Sequence, residues 1–184
     1  MATARRQADG RKVEVWAFDE HRLGLKPLRR RIWAKRGQRP LALSHHKYQW
    51  LYLYGFVHPK SGRVEWWLAN RVNARLFQSV LDAFAAETGA GRDRIVILVL
   101  DNAGWHLAKK LRIPEGIRLC FLPPYSPELQ PAERLWPLTD EVVANKPFES
   151  IDALADVLDR RCTTLTDQPE LVRANTKFNW WPDE

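Results

Sequence analysis

The sequence predicts an α/β domain, a mixed β-sheet with helices on both faces, and three observations carry that reading. An early group of β-prone segments (Val13 to Phe18, Gln49 to His58, Arg63 to Leu68) is separated by turn residues. Two later apolar runs, Ile95 to Leu100 and Gly116 to Leu122, read as further strands, the first unbroken as in a strand buried on both faces. Stripes of apolar residues at helical spacing lie between and after these runs.

Taken in order, residues 1–12 are polar and Arg-rich without a period, so they read as a flexible lead-in or linker stump. Val13 to Phe18 is a short strand ending at Asp19. Arg31 to Ala34 is expected to form a second strand, with Lys35-Arg36-Gly37-Gln38-Arg39-Pro40 as its turn. Gln49 to His58 and Arg63 to Leu68 pair around the turn Pro59-Lys60-Ser61-Gly62. Asn73 caps a helix from Ala74 to about Thr88, because Leu76, Phe77, Val80, Leu81 and Phe84 share one face, and Gly89 to Gly91 ends it.

A short helix is expected near Leu107–Leu111. Pro123-Pro124-Tyr125-Ser126-Pro127 forbids regular structure and reads as a rigid loop. Pro131 suits a first helical turn, which also holds Glu133. A last helix runs from Ile151 to about Thr163 with Ser150 as cap and Ile151, Leu154, Ala155, Leu158 and Cys162 as its buried stripe. Antiparallel strands followed by helix, strand, strand, helix and helix is the order of an RNase H-like fold. One domain at 13–165 follows, with 166–184 as an irregular C-terminal tail.

A length of 184 residues suits one domain with a sizeable core, and 45% apolar with 28% charged residues is ordinary for a globular protein. No apolar run approaches a membrane span and the N-terminus has no signal-type segment, so a cytoplasmic protein with no membrane contact is expected. Cys120 and Cys162 sit in apolar patterns without Cys-x-x-Cys spacing and read as free buried thiols. His45 and His46 are adjacent, so their side chains diverge and do not suggest a metal pair. The net charge of +7 is unevenly placed, densest at Arg22, Lys26, Arg29, Arg30, Arg31, Lys35, Arg36 and Arg39. That density suits the neutralisation of backbone phosphates.

Asp19, Asp101 and Glu133 each have an ordinary explanation in isolation, as turn formers or as an acid in a first helical turn. Together they are three acids delivered to one edge of the sheet by separate elements. Clustered carboxylates repel unless a cation sits among them, and magnesium favours such oxygen ligands while retaining reactive water. Glu20 competes with Asp19: both faces of the first strand carry apolar residues, so alternation does not choose. Asn102 and His106 are placed to support the acids. Ser126 and His106 are not a hydrolase pair, since there is no Gly-x-Ser-x-Gly elbow.

Four blocks carry a resemblance: Phe18-Asp19-Glu20, Tyr54-Gly55-Phe56-Val57, Leu100-Asp101-Asn102-Ala103-Gly104-Trp105-His106 and Leu122 to Trp136. With them the chain resembles the DDE transposases of bacterial insertion sequences, within the Tc/mariner superfamily. The resemblance implies a catalytic and metal-ligating triad of Asp19, Asp101 and Glu133, with two Mg2+ (Mn2+ as substitute). It also implies cutting at element ends and strand transfer by the freed 3′-hydroxyl. The implied partners are double-stranded DNA, as transposon ends and target, and a second copy in a homodimer. A non-specific RNase H-like nuclease and a catalytically inert DNA-binding remnant are the competing readings.

Two departures from the family pattern bear on the site. The usual Leu-Asn-Pro-Ile-Glu stands here as Leu129-Gln130-Pro131-Ala132-Glu133. Pro137 falls inside the helix expected to carry Glu133, where it should clash with the carbonyl of residue 133 and kink the chain. Relatives of this type also carry helix-turn-helix domains ahead of the catalytic domain. The segment before Val13 cannot fold into one, which implies a separate helix-turn-helix protein or a truncated element.

Overall fold

The computed structural model describes residues 10–38 and 47–182; residues 1–9, Arg39, Pro40 and the His45-His46 pair lie outside the described residues. Five strands form one sheet: β1 (Lys12–Gly24), β2 (Trp50–His58), β3 (Arg63–Ala69), β4 (Arg94–Leu100) and β5 (Ile117–Phe121), in the order β3-β2-β1-β4-β5. β2 is antiparallel to β1 and to β3, whereas β4 is parallel to β1 and to β5. The mixed sheet of the sequence reading is therefore present.

The helices are α1 (Ala74–Thr88), α2 (Trp136–Asp140), α3 (Ile151–Thr166) and α4 (Pro169–Thr176), with 3-10 turns at Pro127–Leu129 and Pro131–Leu135. The Asn73 side chain accepts from the Leu76 amide at the start of α1, and Gly89 closes it in the left-handed region at φ 66°. The Ser150 side chain accepts from the Ala153 amide at the start of α3. Both caps satisfy amide groups that have no partner inside their own helix.

Strand alternation divides the core between the two faces of the sheet. Trp16, Phe18, Tyr54, Phe56, Val96 and Leu98 pack with Phe77, Val80, Leu81 and Phe84 of α1 on one face. Val15, Ala17, Leu53, Val57, Ile97 and Val99 pack with Leu135, Trp136, Leu154, Leu158 and Val172 on the other. Each fully buried large side chain contributes about 1.5–3 kcal/mol, so neither face can be stripped of its helices without loss of the fold.

Four sequence expectations are corrected. β1 does not stop before Asp19 but runs to Gly24, because β2 pairs with it from Ala17 to Gly24. Arg31 to Ala34 forms no strand: no strand of the sheet pairs with it and the segment is exposed, with Trp33 fully so. Residues 107–111 form turns instead of a helix. The tail carries α4, whose Val172 is fully buried in the core beneath β3 and α3.

The site is positioned by a divergence of two strands. β1 and β4 pair only as far as Ala17 with Val99, after which β4 ends and β1 continues along β2. Asp19 and Asp101 each lie two residues beyond that last pair, so they leave neighbouring strands at one level of the sheet. The crevice beyond the carboxyl ends of parallel strands is the usual ligand position in open α/β sheets.

Candidate active site

Asp19, Asp101 and Glu133 line a single cleft of about 430 Å³, with Asn102, Gln130 and the loop 122–127 as its other walls. The third acid reaches the cleft through a change of helix type. Residues 131–135 form a 3-10 turn, and α2 begins at Trp136 with Pro137 in its first turn. A first-turn residue needs no amide partner, so Pro137 neither clashes with the carbonyl of Glu133 nor kinks a continuous helix. The Gln130 side chain fastens this turn to the sheet: Nε2 donates to the Phe18 carbonyl at 2.8 Å and its oxygen accepts from the Ala132 amide.

Asp19 is held by Trp136, whose indole Nε1 donates to the carboxylate Oδ2 at 2.9 Å. Trp136 can lie there because the residue opposite Asp19 on β2 is Gly55. A Cβ on Gly55 would stand 2.9 Å from the Trp136 ring and 3.1 Å from Leu135. The indole also stacks on His21 at 5.0 Å, and His21 Nε2 meets Asp140 Oδ1 at 2.8 Å. Burial, followed by the charges of Glu133 and Glu20, pushes the Asp19 carboxyl up to about 8, although the Trp136 bond opposes the shift. A carboxyl so disfavoured as an anion is one that a cation would relieve.

Asp101 faces a different partner. Its Oδ1 accepts from His106 Nδ1 at 2.9 Å and from the Ala103 amide at 3.0 Å. The hydrogen bond from His106 is the main reason its pKa lies below the ordinary value. His106 is 2% exposed and lies between two acids, with Nε2 at 3.5 Å from Glu20 Oε2. Burial would lower its pKa, but the bonds to Asp101 and Glu20 outweigh that and raise it to about 9. Asn102 ties the end of β4 to the end of β5 through a bond from Nδ2 to the Leu122 carbonyl at 2.7 Å.

The structure thus puts Asp19 and Glu20 on opposite faces, Asp19 toward Trp136 and Glu133 and Glu20 toward His106. The three proposed ligands share a cleft but are not drawn around one point: among the described residues no three His, Cys, Asp or Glu side chains group as a ligand set. One oxygen of Asp101 is already engaged by His106 and the Ala103 amide. The donors are carboxylate oxygens throughout, a set suited to magnesium.

Of the basic residues, Arg22, Lys26, Arg29, Arg31, Lys35 and Arg36 are exposed. Arg30 is engaged internally, its guanidinium donating to the Pro137 carbonyl at 3.1 Å and meeting Asp140 at 3.4 Å. Gln130, Trp136 and Gly55 were not legible as site residues. Each lies within the family-like blocks, but their contacts join residues more than thirty positions apart.

The family model for the DDE superfamily endonuclease matches residues 14–155. An uncharacterized protein of Sinorhizobium fredii (strain NBRC 101917 / NGR234), y4pE/y4sA, is 34% identical over 135 residues, 71% of this chain and 96% of that one. The insertion element IS630 uncharacterized 39 kDa protein of Shigella sonnei is 28% identical over 142 residues, 74% of this chain and 41% of its own length. Among solved structures, a pre-cleavage Mos1 transpososome superposes with a TM-score of 0.59 at 19% identity, covering 96% of this chain and 59% of that one. The Mos1 strand transfer complex gives 0.55 at 20% identity, covering 96% and 58%. These structural likenesses show the fold, and the chain spans less than two thirds of the insertion-element relative and of the Mos1 chains. The family match begins on β1 and ends on α3, enclosing Asp19, Asp101 and Glu133, and on that ground the chain belongs to the DDE superfamily of endonucleases.

Proposed function

We propose that this chain is the catalytic domain of an insertion-sequence transposase, which cuts phosphodiesters at element ends and transfers the freed 3′ end to target DNA. The observation that carries the reading is the convergence of Asp19, Asp101 and Glu133 on one cleft from two diverging strands and a 3-10 turn. Bound divalent ions, two Mg2+ or Mn2+ in their place, supply Lewis acidity and an activated water in such sites. Solved Mos1 paired-end complexes with Mg and with Mn support that choice of metals.

The residues of the chain have separable roles. Asp19, destabilised as a free anion and oriented by Trp136, would hold metal together with Asp101 and Glu133, which line the same cleft. His106, charged at neutral pH and set against Glu20, positions Asp101. Arg22, Lys26, Arg29, Arg31, Lys35, Arg36 and Arg39 hold DNA backbone; Arg30 instead braces this segment on α2. The partners are double-stranded DNA, a second copy of the chain and a separate helix-turn-helix protein. No described helix is long and apolar enough to cross a membrane, and we place the chain at the nucleoid in the bacterial cytoplasm.

The test is incubation of the chain with supercoiled plasmid and magnesium or manganese. Metal-dependent nicking is expected, with a loss of at least about a hundredfold in Asp101→Asn, Asp19→Asn and Glu133→Gln, since removing a metal ligand abolishes its chemistry. Nicking that survives Asp101→Asn would exclude the assignment. Equal cutting with and without element-end sequences would favour a non-specific nuclease.

A further inference from the structure

Beyond the carboxylate cleft, where β1 ends and β2 begins, lies a second, open-sided cavity of about 190 Å³. Its rim carries Arg22, Lys26 and Lys146, and among the described residues no carboxylate lines it. Its walls are apolar and aromatic, with Trp50, Phe148 and Leu28 among them. The guanidinium of Arg22 lies over the Trp50 ring at 4.5 Å, making a flat cationic wall.

A ligand for such a site must be planar and apolar at one end and anionic at the other. A cavity of about 150 Å³ accommodates benzene, so this one admits a six-membered ring with small substituents. Nucleobases stack on aromatic rings and on guanidinium planes, while lysines hold the phosphate. Arg22 connects the cavity to the site already described, because it also lines the crevice that holds Asp19, Glu20 and Asp101. Asp19 and Arg22 are three strand residues apart, about 10 Å at 3.3 Å per residue. That is about three nucleotides at the rise of a duplex strand.

We propose that this cavity seats one unpaired nucleotide of the substrate DNA, the base inside and the phosphate at the Lys26–Lys146 rim. The proposal rests on the reading of the chain as a DNA-cutting domain and adds a strand-separating contact to it. A base held here keeps the strand unstacked close to the bond being cut.

The test is fluorescence anisotropy of the full chain, metal-free, with a labelled single-stranded thymidine hexamer and with the same hexamer made abasic. The thymidine hexamer should bind about tenfold more tightly, as base–aromatic stacking provides. Leu28→Trp, which fills the cavity from its rim, should abolish that preference while leaving abasic binding in place. Lys26→Ala with Lys146→Ala should weaken both probes and lower the salt dependence by about two phosphate contacts. If Leu28→Trp does not fold, as judged by its melting curve, Phe148→Ala should remove the preference instead. Equal affinity for the two hexamers would overturn the proposal in favour of a phosphate-holding surface. Displacement of the hexamer by thymidine monophosphate at equal concentration would overturn it in favour of a free-nucleotide site. Because binding is read without metal, failure of the nicking experiment and failure of this one are distinguishable.

Discussion

His106 is held between acids from two elements, Asp101 at the end of β4 and Glu20 on β1, and its removal leaves both carboxylates without their cation. His106→Ala should therefore lower stability by about 1–3 kcal/mol in urea unfolding, the cost of stranding a buried polar group. The pH dependence follows from the raised pKa. His106 titrates near 9 in the folded chain and near 6.5 when unfolded, so its contribution is complete below 6.5 and is lost as pH rises through about 9. The stability difference between wild type and variant should narrow across that window; a constant difference would show that His106 is not charged. That Asp19, Asp101 and Glu133 meet in one cleft could be expected from their motifs, because an acid closing an apolar run (Asp19, Asp101) or following a helix-starting proline (Glu133) can be read locally. Gln130 and Gly55 were not legible, because the bond from Gln130 to the Phe18 carbonyl and the close approach of Trp136 to Gly55 exist only once β1, β2 and the 3-10 turn are assembled.

At the scale of elements, what could be read depended on whether a segment carried its own signals. α1 and α3 have side-chain caps and long apolar stripes, and both were found with their boundaries nearly intact. α4 has eight residues, with only Val172 and Thr176 buried, too short a stripe to show a period. It is held by tertiary contact: Gly62, at φ 76° in the turn after β2, lies against Pro169, and a Cβ there would overlap the Pro169 carbonyl oxygen. Gly62→Ala should cost at least about 1–3 kcal/mol, from the disfavoured backbone region and the clash together. Hydrogen exchange should show the loss concentrated in residues 169–176. Uniform loosening would mean that α4 is not docked through this turn. Arg31 to Ala34 failed as a strand for the converse reason: its local sequence permits extension, but no strand of the sheet takes it as a partner.

The whole molecule shapes the site by letting a mixed sheet part at its centre. β1 belongs to the antiparallel half over its later residues and to the parallel half over its earlier ones. That switch opens the cleft and buries Asp19 beside Glu133 at once. Its consequence is a stability that depends jointly on pH and metal. Asp19 titrates near 8 in the folded chain against an ordinary 3.8, so its contribution is present below 3.8 and lost as pH rises through about 8. Without metal, the fold should weaken across that range. A cation at the carboxylates competes with the proton, so magnesium should stabilise little at pH 5 and clearly at pH 8.5. At about ten times its dissociation constant it adds about 1.4 kcal/mol, or about 3–6 °C in Tm for a domain of this size. Thermal melts with and without magnesium at the two pH values measure this directly. In Asp19→Asn both the metal-free decline and the magnesium shift should shrink together, because one carboxyl carries both. A magnesium shift of equal size at pH 5 and pH 8.5, or one untouched by Asp19→Asn, would place the metal elsewhere on the molecule.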